Sequence, residues 1–380
     1  MKKSVNCILV LLSLSMLVGC AKIADVSTTP PGPLPDLYIT LNFANNSGYA
    51  ASRFHVMIKG KDASGVEKYF DLSQEPLQFT DSTPPDVTLD TLIARGNVTV
   101  PYINSGRIYL ALDKQVGAEQ ADFNQQSVSD GKVYDKIELT VMNTGNVVNL
   151  TQVDYFAIPI KITCGAEVRG FNDGITRKQI FDEYAAMMTG DWANLLLHDN
   201  TGKRLRILNP EKVIPVDTAN FPALLTYWDA IINQYWAAGN SVTILTDETV
   251  RRQITGTADG SKIDFGVDGA YVKPTSLQMF GQEVAGGSKA EVVKWVSGAV
   301  NRGVIQSAAA ADQGDSSKFY SASSADNGGV YNKYAEFFHN SRYSINGRAY
   351  ALAFDDVFGY ESAINIPNKA AVTIQVQGFE

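Results

Sequence analysis

The chain has 380 residues, a formal net charge of −8 and 45% hydrophobic residues, enough for one large domain or two packed lobes. Acidic residues outnumber basic ones and no basic run occurs, which argues against nucleic acid as a partner. An acidic surface is compatible with a neutral ligand such as a sugar.

The first nineteen residues have the pattern of a lipoprotein signal peptide. Lys2 and Lys3 precede an apolar stretch at 5–18, which ends in Leu17-Val18-Gly19-Cys20. The stretch is too short to cross a bilayer as a stable helix. We therefore expect cleavage before Cys20 and a lipid on this cysteine as the only membrane attachment, with an ordinary secretory signal as the alternative. Residues 20–35 are proline-rich and predict a tether.

The region 36–165 predicts an antiparallel β-sandwich or barrel. Its apolar runs alternate, contain many β-branched and aromatic residues, and are separated by turn signals such as Asn143-Thr144-Gly145. The predicted strands are 37–43, 54–58, 98–103, 108–112, 134–142 and 153–163.

The region 166–345 predicts a mixed α/β lobe packed on the first. Helical periods occur at 177–189, 222–238 and 289–301, and a short strand is expected at 242–245. Ser288 and Glu291 have the spacing of a capping box at the start of the third helix. Trp228 and Trp236 lie on the apolar stripe of the second helix, where a place in the core is the simpler interpretation.

The remainder of the chain predicts a loop, a short helix and two final strands. The stretch 306–328 is rich in serine, alanine, aspartate and glycine and is expected to be a loop. Strands are predicted at 348–354 and 371–376, within a segment 346–380 that we expect to return to the first β lobe.

Most familiar catalytic sets are absent from the sequence. His55, His198 and His339 are scattered, without a zinc-binding pair, and no nucleophile elbow, phosphate-binding loop or dinucleotide fingerprint occurs. Cys164 is the one cysteine after Cys20, so no disulfide within the mature chain is expected, and an inert, buried thiol is the simpler interpretation. We expect neither a metal nor an organic cofactor, which leaves carboxylate chemistry.

Two carboxylates lie on neighbouring predicted strands. Alternation places Glu138 and Thr140 on the face opposite to Ile137, Leu139 and Val141. If the strands pair through a turn near 143–147, Asp154 lies opposite or diagonal to Glu138, about 7–8 Å away for a diagonal pair. This separation is compatible with an inverting glycosidase, although two acidic residues on strands are more commonly solvated surface charges.

The segment 133–163 resembles the catalytic hairpin of glycoside hydrolase family 64. This family comprises laminaripentaose-producing endo-β-1,3-glucanases with a thaumatin-like β domain. The resemblance extends over most of the mature chain, and the motifs occur in the family's order and spacing. They are Ser105-Gly106-Arg107-Ile108-Tyr109, Asp199-Asn200-Thr201-Gly202 within 192–210, Lys273-Pro274-Thr275-Ser276, Ala299-Val300-Asn301-Arg302, and Asn346-Gly347-Arg348 within 346–357.

The resemblance implies an inverting endo-β-1,3-glucanase with a wide, open groove between the two lobes. The family's general acid falls on Glu138 and its general base on Asp154, and Thr140 and Thr151 match groove threonines. Glu138 must then hold a proton near neutral pH while Asp154 stays ionised and activates water.

Five other residues are candidate substrate ligands with structural alternatives. Asp355 and Asp356 match acidic groups that line the family's groove, but they also suit a turn. His339 falls where the family has a histidine near the glucan, and packing explains it about as well. Arg302 and Arg348 either bind sugar hydroxyls or tie loops together.

The chain also departs from the family pattern, since it lacks disulfide cysteines and has Gln278 where many relatives have an acidic residue. These differences leave the product length open. The predicted substrate is laminarin, curdlan or fungal wall glucan, and the alternative is an envelope protein that binds glucan without cutting it. We expect a monomer, and Ala21 after the lipidated cysteine favours the outer membrane.

Overall fold

The computed structural model describes residues 36–115, 131–247, 250–305, 309–321 and 329–380. The signal peptide, Cys20 and the proline-rich tether lie outside these ranges, as does part of the loop expected at 306–328. Within them, no helix is long and apolar enough to cross a membrane. The division at 165 and 345 stays a prediction.

The described residues form twenty strands and seven α-helices, numbered in chain order. The strands are β1 (Ile39–Asn45), β2 (Phe54–Lys61), β3 (Glu67–Asp71), β4 (Gln78–Thr80), β5 (Val87–Thr88), β6 (Val98–Val100), β7 (Ile103–Leu112), β8 (Val133–Met142), β9 (Gly145–Leu150), β10 (Tyr155–Phe156), β11 (Ile160–Cys164), β12 (Glu167–Gly170), β13 (Leu196–His198), β14 (Arg204–Leu208), β15 (Ser241–Leu245), β16 (Gln253–Ala258), β17 (Lys262–Asp264), β18 (Ala270–Val272), β19 (Ala363–Ile366) and β20 (Ala371–Val376). The helices are α1 (Leu89–Arg95), α2 (Arg177–Met187), α3 (Pro210–Val213), α4 (Asp229–Tyr235), α5 (Ser276–Gly281), α6 (Ala290–Asn301) and α7 (Lys333–Phe338).

Two large sheets contain most of the strands. The larger sheet has the order β19-β9-β8-β7-β2-β3-β4, with β5 paired to β2, and the second has the order β12-β11-β20-β1-β6. The larger sheet is open at β19 and β4, so the described strands do not close it into a barrel. A three-stranded sheet, β10-β14-β13, and a four-stranded sheet, β15-β16-β17-β18, complete a mainly β architecture with helices.

Strand β8 follows the alternation predicted from its sequence. Ile137, Leu139 and Val141 are buried, whereas Glu138 and Thr140 are half-buried on the other face. A tight turn at residues 143–144 leads into β9, and the two strands pair antiparallel. The predicted hairpin is therefore present up to Leu150.

The predicted strand at 153–163 is divided in two. Tyr155 and Phe156 pair with β14, whereas Ile160–Cys164 pairs with β12 and β20 of the second large sheet. Pro159 lies at the break and cannot donate a backbone hydrogen bond, which suits a change of sheet. Cys164 at the end of β11 is only partly buried, and burial raises the pKa of its thiol.

Two of the three predicted long helices are present, as α2 and α6. The second prediction, 222–238, was wrong in extent, because a short 3₁₀ turn at Leu224–Thr226 precedes the shorter α4. The backbone N–H of Trp228 donates to Ser276 Oγ at 2.9 Å, outside any helical pattern. Trp228 and Trp236 are fully buried, which confirms their place in the core.

The predicted capping box at the start of α6 was wrong. The Ser288 hydroxyl accepts instead from the backbone N–H of Val272 at 2.9 Å, and the N-cap is Lys289, without a side-chain capping bond. Gln278 has a capping role elsewhere, because it forms a capping box with Thr275 at the start of α5.

The strand predicted at 348–354 is also absent. Residues 348–352 are irregular and residues 353–359 form turns, because the backbone N–H groups of Ala351 and Leu352 donate to the carboxylate of Asp355 rather than to a neighbouring strand. The final predicted strand is present as β20, which lies between β1 and β11.

Candidate active site

A row of polar residues crosses the larger sheet on one face. Lys59 of β2 is opposite Arg107 of β7, Arg107 is opposite Glu138 of β8, and Glu138 is opposite Asn149 of β9. Because directly opposite residues share a face, their side chains form a continuous line over four strands. This row places Glu138 between a cation and an amide.

Glu138 is held by hydrogen-bond donors from both neighbouring strands. Its side chain is 32% exposed, and Oε1 lies 3.1 Å from Arg107 Nη2. Asn149 Nδ2 donates to Oε2 at 3.4 Å, and Asn149 Oδ1 in turn accepts from the hydroxyl of Ser362 at 3.2 Å. The carboxyl is therefore oriented by two partners while one third of its surface stays open.

Asp154 reaches the same region from a loop rather than from a paired strand. Strand β9 ends at Leu150 and the cross-strand partner of Glu138 is Asn149, so the predicted pairing of Glu138 with Asp154 was wrong. The loop places the Asp154 carboxylate on Lys136, which alternation puts on the same face of β8 as Glu138.

The position of Asp154 is fixed through its backbone as well. Its carbonyl accepts from the N–H of Asn209 at 2.9 Å, and the next residue, Tyr155, pairs with Leu208 of β14. Asn209 is also the N-cap of α3, which carries Lys212. A loop, β8 and α3 therefore converge on this carboxylate.

The Asp154 carboxylate has a lysine at each oxygen. Lys136 Nζ donates to Oδ2, and Lys212 Nζ lies 3.4 Å from Oδ1. Burial raises the pKa of Asp154, but the charges of Lys136 and Lys212 outweigh it, so the net pKa is well below the ordinary value. The carboxylate is 20% exposed and ionised at neutral pH.

A second aspartate lies beneath the site on the core face of β8. Asp135 is buried, and its Oδ2 accepts from the backbone N–H groups of Ala157 and Ile158, both at 2.8 Å. Burial raises the pKa of Asp135 to about 7, although these hydrogen bonds oppose the shift. Asp135 thereby ties the segment that follows Asp154 to the strand that carries Glu138.

The two predicted groove threonines have different environments. Thr140 is half-buried on the same face of β8 as Glu138. Thr151 is 2% exposed, and its hydroxyl accepts from the N–H of Val153 at 3.3 Å. Thr140 is therefore available to a ligand, whereas Thr151 shapes the loop that leads to Asp154.

Three predicted substrate ligands form an interior network. Asp355 is completely buried, with Arg302 Nη2 at 3.2 Å from Oδ1 and His339 Nε2 at 3.1 Å from Oδ2. The Nδ1 atom of His339 contacts the carbonyl of Gly347 at 2.9 Å, and the ring stacks on Tyr320. This burial does not fit direct ligand contact, so we correct that expectation for Asp355, Arg302 and His339 to a structural role.

Arg348 and Asp356 lie around two other titratable groups, Tyr350 and Glu361. Burial, followed by the charges of Asp356 and Glu138, raises the pKa of the Tyr350 phenol, so both carboxyls act on this phenol. Burial raises the pKa of Glu361. The charge of Asp356 raises this pKa further, and the charge of Arg348 lowers it. Both predicted residues are half-buried and remain candidates for ligand contact.

Sequence reasoning missed three cations of the site. Lys136 could have been found, because the alternation that exposes Glu138 also puts Lys136 on the same face. Arg107 lay in a family motif without an assigned role, and Lys212 carried no signal in the sequence. In the described part of the chain, no group of three or more histidine, cysteine or acidic side chains is arranged to hold a metal ion.

Comparison with known proteins gives a consistent result. The sequence model of glycoside hydrolase family 64, described as β-1,3-glucanase, matches residues 38–376. Two glucan endo-1,3-beta-glucosidases, from Arthrobacter sp. (strain YCWD3) and Cellulosimicrobium cellulans, are each 25% identical over 296 residues, covering 75% of this chain and 52% of theirs. The chain thus spans about half the length of these curated relatives.

Solved structures with the same fold include two proteins of this group. A β-1,3-glucanase domain from Clostridium beijerinckii superposes with a TM-score of 0.73 at 21% identity, covering 92% of this chain and 100% of that one. A laminaripentaose-producing β-1,3-glucanase in complex with laminaritetraose has a TM-score of 0.69 at 21% identity, covering 91% and 100%. At this level of identity the likeness shows the fold alone.

Proposed function

The chain belongs to glycoside hydrolase family 64, and from this we propose that it is an endo-acting, inverting β-1,3-glucanase. The observation that carries the proposal is the pair Glu138 and Asp154, brought to one face of the larger sheet by β8 and the loop before β10. The substrate is laminarin, curdlan or a fungal wall glucan, lying in a wide groove beside a thaumatin-like β lobe.

The two carboxyls suit different roles because their surroundings differ. Glu138 is one third open and acts as the general acid, giving its proton to the leaving glycosidic oxygen. Asp154 is ionised beside two lysines and acts as the general base, drawing a proton from the water that attacks the anomeric carbon. Arg107 contacts Glu138 and Lys136 contacts Asp154, and the attacking water is proposed to lie between the two carboxyls.

Three half-buried residues near the acid are proposed to contact sugar hydroxyls. Thr140 follows Glu138 on its face of β8, while Arg348 and Asp356 come from the turns after residue 347. Neither proton transfer requires a metal or an organic cofactor. Thr151, His339, Asp355 and Arg302 support this surface from within.

A second candidate function is a glucan-binding protein with little or no hydrolysis. The observation that favours it is the engagement of Asp154, whose two oxygens each have a lysine. A carboxylate that stays paired in this way would accept a proton poorly, and the groove would then bind without cutting.

We also propose a location in the cell envelope. The sequence pattern at Cys20 supports a lipid anchor in the outer membrane, followed by a proline-rich tether at 20–35, and we propose that the chain is a monomer. Mass spectrometry of the N-terminal peptide from a membrane fraction would test the lipid, because the anchored form starts at a diacylated Cys20.

The proposed activity is tested with laminarin and the purified full chain. We expect oligosaccharides released as the α-anomer, detected by NMR within the first minutes, because inversion at a β-linkage gives this product. Glu138→Gln and Asp154→Asn should each lower kcat by about 10²–10⁴-fold, the usual contribution of a general acid or base.

Asp173→Asn is the matched control, since this exposed aspartate pairs with Lys161 in the other large sheet. Its rate should equal that of the wild type. Release of the β-anomer would reject inversion, and retained glucan binding without product would favour the second function.

A further inference from the structure

The two lysines at Asp154 differ in burial and in distance. Lys136 is 5% exposed and donates to Oδ2. Lys212 is 34% exposed, lies 3.4 Å from Oδ1, and also contacts the carboxylate of Glu211 at 3.1 Å. Oδ2 is therefore bound by a fixed, desolvated ammonium, whereas Oδ1 faces a longer contact on the solvent side.

The position of Lys136 restricts its ammonium group to the ion pair with Asp154. It lies on the well-packed strand β8, and its ammonium lies 5.8 Å from the centre of the Tyr155 ring. A lysine this deep in a protein is costly unless it is paired, so the ion pair with Asp154 holds both partners in place. Because Lys136 precedes Glu138 by two residues, one strand carries the acid and the group that holds the base.

We propose that Lys136 is a positioning residue that fixes Oδ2 of Asp154 and leaves Oδ1 as the oxygen that accepts the proton from the attacking water. This inference rests on the proposed function. The water oxygen bonds to the anomeric carbon as the bond to the glycosidic oxygen breaks. The water proton moves to Oδ1, and the proton of Glu138 moves to the leaving oxygen, so charge and atoms balance.

The charges around Asp154 predict how its protonation depends on Lys136. Three elements supply the other titratable groups that face it: Arg107 from β7, Lys212 and Glu211 from α3, and Tyr334 from α7. A cation within about 4–6 Å lowers the pKa of a carboxyl by about 1–3 units. Loss of Lys136 removes the largest charge that opposes burial and therefore moves the Asp154 pKa upward.

The kinetic test compares kcat/KM between pH 3 and 7 for the full chain and its Lys136→Met variant on laminarin. The wild type should show no acid limb from Asp154 in this range. Lys136→Met should lower kcat more than it changes KM and should show an acid limb within this range, because the Asp154 pKa rises when the charge of Lys136 is lost. A merely structural role would lower the rate equally at every pH.

Lys161→Met is the matched control, because Lys161 is another largely buried lysine, paired with Asp173 in the other sheet. It should leave the pH profile unchanged. If Lys136→Met does not fold, as judged by circular dichroism, Lys136→Gln keeps a hydrogen-bond donor at this depth and should show the same limb.

A measurement without substrate separates this inference from the proposed activity. With ¹³C-labelled aspartate, and Asp154→Asn to identify the resonance, the Asp154 carboxyl should not titrate between pH 6 and 3 in the wild type. It should titrate within this pH range in Lys136→Met, because the charge that lowers its pKa is lost. An inactive wild type overturns the proposed function, whereas an unchanged Asp154 titration in the variant overturns the role of Lys136.

Discussion

Asp135 and Asp154 lie on opposite sides of the same part of the fold, and their pKa values shift in opposite directions. Both are desolvated, which raises the pKa of each carboxyl. Asp154 is compensated by two ammonium groups, whereas the direct hydrogen bonds of Asp135 come from backbone N–H groups. The full charges of the two lysines outweigh the desolvation of Asp154, whereas the backbone dipoles do not outweigh that of Asp135. Asp135 is therefore the aspartate that holds a proton near neutral pH.

The raised pKa of Asp135 predicts a pH-dependent stability. Because the folded-state pKa of about 7 exceeds the unfolded value, folding favours the protonated form, and this contribution is lost as pH rises from about 4 to 7. Relative to Asp135→Asn, the wild type should lose about 2–4 kcal/mol of unfolding free energy between pH 4.5 and 8. Urea denaturation at several pH values measures this difference.

Asp173→Asn is the control for this pH dependence of stability. Asp173 is exposed and its pKa is lowered, first by a hydrogen bond from Lys161, so its contribution changes only below about pH 4. A wild-type stability that tracks Asp135→Asn at every pH would contradict the assignment of a proton to Asp135.

The starts of helices α2 and α6 show how the elements are specified. Thr176 accepts from the N–H of Gln179 at 3.1 Å in a complete capping box, whereas Lys289 caps α6 without a side-chain bond. Thr176→Ala should lower the free energy of unfolding by about 0.5–2 kcal/mol, because one backbone donor loses its partner. Lys289→Ala removes no such bond and should change it by less than about 0.5 kcal/mol, measured by the same denaturation.

Periodicity and capping explain which elements could be predicted. The alternation in β8 and the apolar stripe of α6 reflect burial on one face, which local sequence records. The break at 157–159, the short helix α4 and the irregular segment 348–359 depend on distant partners: Asp135, Ser276 and the buried network around Asp355. No local pattern encodes these partners.

The residues of the candidate site also divide into those that local sequence predicts and those that depend on distant partners. The face of Glu138 could be predicted from alternation, and the family resemblance is what suggested Asp154 as the proposed base. Lys212 approaches from a helix far along the chain, and the burial of Asp355 with Arg302 and His339 arises only when three separate segments pack together. Acidic residues that match a groove pattern can therefore lie behind the surface rather than on it.

At the scale of the molecule, the buried residues of both large sheets and of the helices belong to one continuous core. All four tryptophans lie between residues 192 and 295, so their fluorescence reports on the part of the chain after the large β region. Ile374→Ala in β20 should lower the unfolding free energy by about 2–5 kcal/mol, because it opens a cavity at a fully buried position.

Ile374→Ala should lower the midpoint of urea denaturation by the same amount when unfolding is followed by fluorescence and by far-ultraviolet circular dichroism, if this core unfolds as one unit. Thr373→Ala on the opposite face is half-buried and should shift the transition far less. A shift seen by circular dichroism but not by fluorescence would instead show that the two regions unfold independently.

The place of β20 has a further consequence for how the chain can assemble. β20 pairs in parallel with β1 and antiparallel with β11, so segments from both ends of the described chain meet in the middle of one sheet. Until residues 371–376 are available, β1 and β11 each present an unpaired edge, which is the kind of surface that recruits other chains. Topology therefore sets the order of events. The strands of the larger sheet other than β19 can pair early, but the second sheet can close only after residues 371–376 have been made. Until then, association with other chains would begin at the unpaired edges of β1 and β11.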